Sequence, residues 1–142
     1  MFLTFLIGLN AESQNADRFP RLRERIVQTK LNEIQLQLKL DQADFDQFRP
    51  VYLKYEREIS EIDFRNLARL MKVDADSLSS EEAERLIINQ LETAKKLISI
   101  REKYYKEFRT VLSPQQIIKL YQTEAELRKK VLQEMKRRMI SR

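Results

Sequence analysis

Leu112-Ser113-Pro114-Gln115-Gln116-Ile117-Ile118-Lys119-Leu120 is a helix-opening device set between two long helical stretches. Ser113 can accept hydrogen bonds from the orphan backbone donors of the next turn, Pro114 suits the first helical position, and the Gln116 amide can reach back to the cap residue. A fainter copy, Leu40-Asp41-Gln42-Ala43-Asp44 followed by Phe45-Asp46-Gln47-Phe48, begins 72 residues before Leu112. There Asp41 caps, and Asp44 puts negative charge in the first turn, where the helix dipole favours it. Taken alone, such a box is a structural element that any helical hairpin can use.

The composition around the boxes narrows the fold class. Cys, His and Trp are absent, and Gly8 is the single glycine among 142 residues. Hydrophobic residues make up 42% and charged residues 35%. A chain rich in Leu, Glu, Lys, Arg and Gln, without glycine for tight β-turns, satisfies its backbone as long amphipathic helices. The expected class is all-α, with one domain.

Phe2 to Leu9 form an apolar run too short to span a bilayer but long enough for the core of a signal peptide. Ala11, Glu12 and Ser13 supply a small-x-small pattern, so residues 1–13 read as a signal peptide and 14–142 as the mature domain. The customary base before the core is missing; the other reading is an N-terminal helical extension packed on the domain. No later apolar stretch is long enough to span a membrane, so the expected product is periplasmic and soluble, without stable membrane insertion. Removing residues 1–13 deletes only Glu12 among the charged groups and raises the net charge from +5 to +6.

In this setting the two boxes resemble the Leu-Thr-x-x-Gln motifs of the Spy/CpxP family of small periplasmic chaperones and envelope-stress or metal-stress regulators. The likeness runs from about Leu22 to Met135. Ser113 stands where the family has Thr and Gln116 matches, whereas Asp41 and Asp44 stand for Thr and Gln. The Phe48-Arg49-Pro50-Val51-Tyr52 arrangement after the first box is also similar to the family. The expected architecture is four long helices as two linked helical hairpins, elongated and bent; the length of the helices and their doubled apolar faces imply an antiparallel, cradle-like homodimer.

Read from the residues, the first helix runs from about Pro20 to Gln37 or Leu38. The second extends from after Asp41 to about Val73, with Pro50 inside it. Asp74 to Ser80 form a polar connector, and Ser79 with Glu82 makes another capping box. The third helix reaches about Val111 and the fourth runs from Pro114 to about Met139. The second and third helices would each be roughly 45 Å long. Phe45, Phe48, Tyr52, Tyr55, Ile59, Ile62, Leu67 and Leu70 form the expected core stripe of the second helix, while Leu53, Phe64 and Met71 fall on a separate meridian. On the first helix Val27, Leu31, Ile34 and Leu38 share a stripe from which Leu22, Leu36 and Leu40 point away. Apolar residues left over from one core imply a partner, and Leu53, Phe64, Met71, Leu22 and Leu36 are the candidate client-binding residues.

The absence of imidazole and thiol removes the usual nucleophiles, general bases and soft-metal ligands. No catalytic residue, cofactor or transition-metal site is expected, and the scattered Met71, Met135 and Met139 read as packing residues. Asp41, Asp44 and Asp46, like Asp74 and Asp76, read as caps or solvated loop acids sooner than as a cation site. Arg101 shares a face with Leu97, Ile98, Tyr104, Tyr105 and Phe108. Folding the hairpin about the connector sets it opposite Leu53 to Glu56, so a structural Arg101–Glu56 ion pair is expected; the alternative is Arg101 reaching into an open groove toward an acidic client. Bases concentrate at Arg128, Lys129, Lys130, Lys136, Arg137, Arg138 and Arg142. The basic balance favours acidic partners and anionic surfaces, and export disfavours nucleic acid.

The expected function is ATP-independent holding of unfolded or partly folded proteins on a basic, amphipathic surface, without a phosphate-binding loop. The alternative is a regulatory partner of a periplasmic sensor domain in an envelope-stress or metal-stress response. A helical scaffold that only dimerises is the third reading.

Overall fold

The computed structural model describes residues 5–140, with side chains from residue 21 onward except those of residues 22, 135 and 139. Among the described residues the chain is all-α. Helix α1 spans Phe5–Leu38, α2 Gln42–Lys72, α3 Ser80–Phe108 and α4 Pro114–Ile140, with a 3₁₀ turn at Ala75–Ser77 and no strand. Pro20 therefore lies inside α1 instead of opening it. A proline costs a helix one donor and crowds one turn, and the helix continues on both sides of it. Pro50 lies inside α2, as expected.

Local chemistry explains where the helices begin. Asp41 is extended (φ −69°, ψ 172°) and its Oδ1 accepts from the Asp44 N–H at 2.8 Å. Ser79 caps α3 in the same way, its Oγ accepting from the Glu82 N–H at 3.1 Å. At the start of α4 the exchange is reciprocal: the Gln116 N–H donates to Ser113 Oγ at 3.1 Å, and the Ser113 N–H donates to Gln116 Oε1 at 2.9 Å. Asp74, in the connector, accepts at Oδ1 from the Asp76 N–H at 3.2 Å, while its carbonyl accepts from Ser77 Oγ at 2.9 Å.

Helix α3 stops at Phe108, three residues short of the expected Val111. Its end tightens into shorter loops: the Thr110 N–H donates to the Glu107 carbonyl at 3.1 Å and the Val111 N–H to the Phe108 carbonyl at 3.0 Å. Arg109 Nη1 also donates to the Leu112 carbonyl at 3.0 Å, which leaves Leu112 buried and Ser113 free to open α4. The end of α1 is different. Lys39 adopts φ 54°, its N–H donates to the Leu36 carbonyl at 3.3 Å, and the Leu40 N–H donates to the Gln35 carbonyl at 3.1 Å. This is the left-handed helix stop usually made with glycine. The reversal swings Leu40 inward to 7% exposure, against the expectation that it would point away from the core.

The chain forms two compact units: Asp41–Ile117, and the described residues up to Leu40 together with those from Ile118 onward. In the latter, Leu31, Ile34, Leu38, Leu40 and Leu120 are buried, and Thr123 returns its hydroxyl to the Lys119 carbonyl at 2.8 Å. In the former, α2 and α3 pack as an antiparallel hairpin. Phe48 stacks on Phe108 with ring centroids 5.8 Å apart, and Tyr55 meets Phe108 and Tyr104 edge-on at 5.3 and 5.6 Å.

Replacing Ser113 with Ala should lower stability by about 1 kcal/mol, and adding Gln116→Ala should cost less than the separate effects summed, because the two groups bond each other. Lys39→Gly should raise stability by about 0.5 to 1 kcal/mol by relieving the left-handed backbone, less the entropy glycine gains when unfolded. Urea unfolding of the variants measures both.

Candidate binding surface

Packing along the hairpin is unequal, and the inequality creates a surface. At the end near Asp41 and Leu112, the rings of Phe48, Tyr52, Tyr55, Tyr104 and Phe108 are all buried, with Ile100 beside them. One turn further along α2, Glu58 meets α3: Tyr104 Oη donates to Glu58 Oε1 at 2.7 Å, and Lys103 Nζ approaches the same oxygen at 3.1 Å. The hydrogen bonds from Tyr104 and Lys103 hold the Glu58 carboxyl below the ordinary glutamate range. Burial first, and then the Glu58 carboxylate, push the Tyr104 hydroxyl up to about 12.

Beyond Glu58 the expected core stripe of α2 fades. Ile59, Ile62 and Leu67 are only half-buried and Leu70 is exposed. The reason lies on α3, whose inward-facing row there is Ala83, Leu86, Gln90, Thr93 and Leu97, all half-buried. Ala, Gln and Thr cannot close over a row of leucines and isoleucines as Tyr104 and Phe108 close over Tyr55.

A second row lies one residue further round α3, about 100° from the first. Ile87, Leu91, Ala94, Ile98, Arg101 and Tyr105 follow spacings of 4, 3, 4, 3 and 4. All six are exposed, with Ile87 and Leu91 at 58% and Ile98 at 57%. This is the alternation of a two-helix seam, with an arginine at one seam position and no helix of its own compact unit laid over it. Ile88 on α3 and Phe64 on α2, at 64%, add to the exposed apolar area.

The structure sorts the expected binding residues. Phe64 and Leu36 are exposed, Leu53 and Met71 are half-buried, and the side chain of Leu22 lies outside the described residues. The side chains of Met135 and Met139 also lie outside them. Leu53 sits within the packed end of α2, so it offers less to a partner than its meridian implied. Leu112 and Leu40 belong to cores, and Asp41, Asp44, Ser113, Pro114 and Gln116 to helix starts. Glu56 is buried and Arg101 exposed. Near them on the hairpin, Tyr55 meets Tyr104 and Glu58 meets Lys103. Sequence reasoning put Ile98 and Tyr105 on one face with Leu97 and Tyr104 and so missed the outer row; its signal was the 4-3-4-3-4 spacing starting at Ile87.

Among the described residues no group of three or more carboxylates is arranged to hold a metal ion. The chain matches no family model, no curated protein and no solved structure.

Stability should fall on both sides of neutrality. Glu58, depressed when folded, contributes stability above about 4.5 that is lost as the pH falls through its folded value; Tyr104, raised when folded, contributes stability below about 10 that is lost as the pH climbs toward about 12. Tyr104→Phe should make the alkaline decline shallower, and Glu58→Gln the acid one. Urea unfolding across both pH ranges checks this.

Proposed function

We propose that this chain is an exported, ATP-independent binding protein that holds unfolded or partly folded proteins on the exposed apolar side of the α2–α3 hairpin. The observation that carries this reading is the uncovered row Ile87, Leu91, Ile98 and Tyr105 on α3, with Phe64 and Leu70 also exposed on α2. Exposed isoleucine, leucine and phenylalanine in a chain that is 35% charged combine solubility with apolar capture. Charge speeds the first encounter with an acidic client, and loose apolar contact then holds it. The short-motif resemblance to the Spy/CpxP family and the apolar run at Phe2 to Leu9 support a periplasmic setting.

One observation favours a second reading, a regulatory partner with a fixed target. Seam spacing with Arg101 at one position suits a single helix in a single register, because a polar residue in a seam selects register and partner at a cost in affinity. A second copy of the chain, laid antiparallel across the row, satisfies the same geometry and gives the cradle-like homodimer expected from the doubled apolar faces. A sensor helix is the other candidate.

Suppression of aggregation of two unrelated unfolding proteins is the discriminating measurement. The wild type should suppress both. Leu91→Ser and Ile98→Ser should weaken suppression while costing less stability than Tyr55→Ala, which removes a buried ring and should lose about 3 to 5 kcal/mol. Suppression of neither protein would leave the regulatory reading in its place. Sedimentation giving a clean monomer at tens of micromolar would remove the homodimer.

A further inference from the structure

The positive charge of this protein has one address. Residues 128–140 carry six bases and one acid, a net charge of +5 that equals the formal charge of the entire chain, so all other residues together balance to zero. Lys129, Lys130, Gln133, Lys136 and Arg137 are all exposed. At about 100° per residue they fall within a third of the circumference of α4. Within residues 128–140 the one acid, Glu134, lies outside that arc and is held by Arg137 Nη2 at 2.8 Å and Arg138 Nε at 3.2 Å, while at the start of the arc Lys130 lines a cleft with Glu126 and Glu33. Complementing the helix dipole accounts for bases in the last turn of α4 but not for Lys129 and Lys130, which lie nearly three turns before its end. Ile140 falls in the same arc and is 85% exposed.

We propose that this face of α4 docks peripherally on anionic phospholipid bilayers. Lys129, Lys130, Lys136 and Arg137 meet headgroup phosphates, and Ile140 enters the interfacial layer. Bases clustered on one helical face are attracted by the negative potential of such a surface, and an adjoining apolar side chain adds burial that a polyanion in solution does not offer. Nucleic acid fits less well, because residues 128–140 contain no aromatic side chain on which a base could stack. No helix among the described residues is long and apolar enough to cross a membrane, so the contact is with the surface. The proposal is independent of client binding, which uses the other compact unit.

The test is co-sedimentation of the full chain with vesicles of phosphatidylcholine alone and with vesicles containing one third phosphatidylglycerol. The wild type should pellet with the anionic vesicles and stay in solution with the neutral ones. Changing Lys129, Lys130, Lys136 and Arg137 together to Gln should weaken binding on the order of a thousandfold. Changing Lys54, Lys72, Lys96 and Lys106 on the hairpin to Gln removes the same charge and should leave most of the binding. Circular dichroism of both variants controls for folding. Ile140→Ser should weaken vesicle binding while leaving binding to a single-stranded oligothymidylate unchanged. Equal pelleting with both vesicle types, equal loss in the two four-residue variants, or oligothymidylate bound more tightly than anionic vesicles would each overturn the proposal.

Discussion

The hairpin unit depends on the interlocking of five aromatic rings where α2 crosses α3. Phe48, Tyr52 and Tyr55 recur along one face of α2 and receive Tyr104 and Phe108 between them, with centroid separations of 5.3 to 6.5 Å across and along the helices. Burial of so much ring surface supplies the drive, and offset and edge-on geometry adds about 1 kcal/mol per pair. Sliding one helix by a turn, about 5.4 Å, would part the three contacts that cross between the helices, Phe48–Phe108, Tyr55–Tyr104 and Tyr55–Phe108. It would also separate Glu58 from Lys103 and Tyr104, so the ion contact is a consequence of the ring register and reinforces it.

What lies beyond this lock inherits its position without inheriting its packing. The inner row of α3 changes from Ile100, Tyr104 and Phe108 to Gln90, Thr93 and Ala83, and exposure on α2 rises with it, from 1% at Tyr55 to 47% at Leu70. A segment with few buried apolar contacts opens at lower free energy than the core, which places the Ser80 end of the hairpin among the more easily opened parts of its unit. The same segment carries Ile87, Leu91 and Ile98 of the exposed row. Tight packing at one end therefore fixes the register of the hairpin while the other end remains loosely packed.

Local features were legible in the sequence in proportion to how local their causes are. The caps at Asp41, Ser79 and Ser113 involve groups three residues apart, and each was readable from side-chain chemistry alone. The stripe Phe45, Phe48, Tyr52 and Tyr55 was readable from its period. Leu67 and Leu70 continue that period and were expected in the core, but their burial depends on what α3 sets opposite them, more than twenty residues away in sequence. Leu40 was misread because one backbone angle, at Lys39, turns it from the outer side to the inner. The helical period could not report that angle, since a lysine in the left-handed region carries no glycine to announce it.

The sequence by itself determined the all-α class, the starts of α2, α3 and α4, the identity of the aromatic core and the concentration of charge on α4. These follow from propensity, capping and periodicity, each of which acts over a few residues. The tertiary structure alone decided the register that pairs Glu58 with Lys103 and Tyr104, the division of α3 into a covered inner row and an uncovered outer one, and the inward turn of Leu40. Those outcomes depend on which side chain stands opposite which, and opposition between distant residues is set by the joint packing of two helices, not by the period of either.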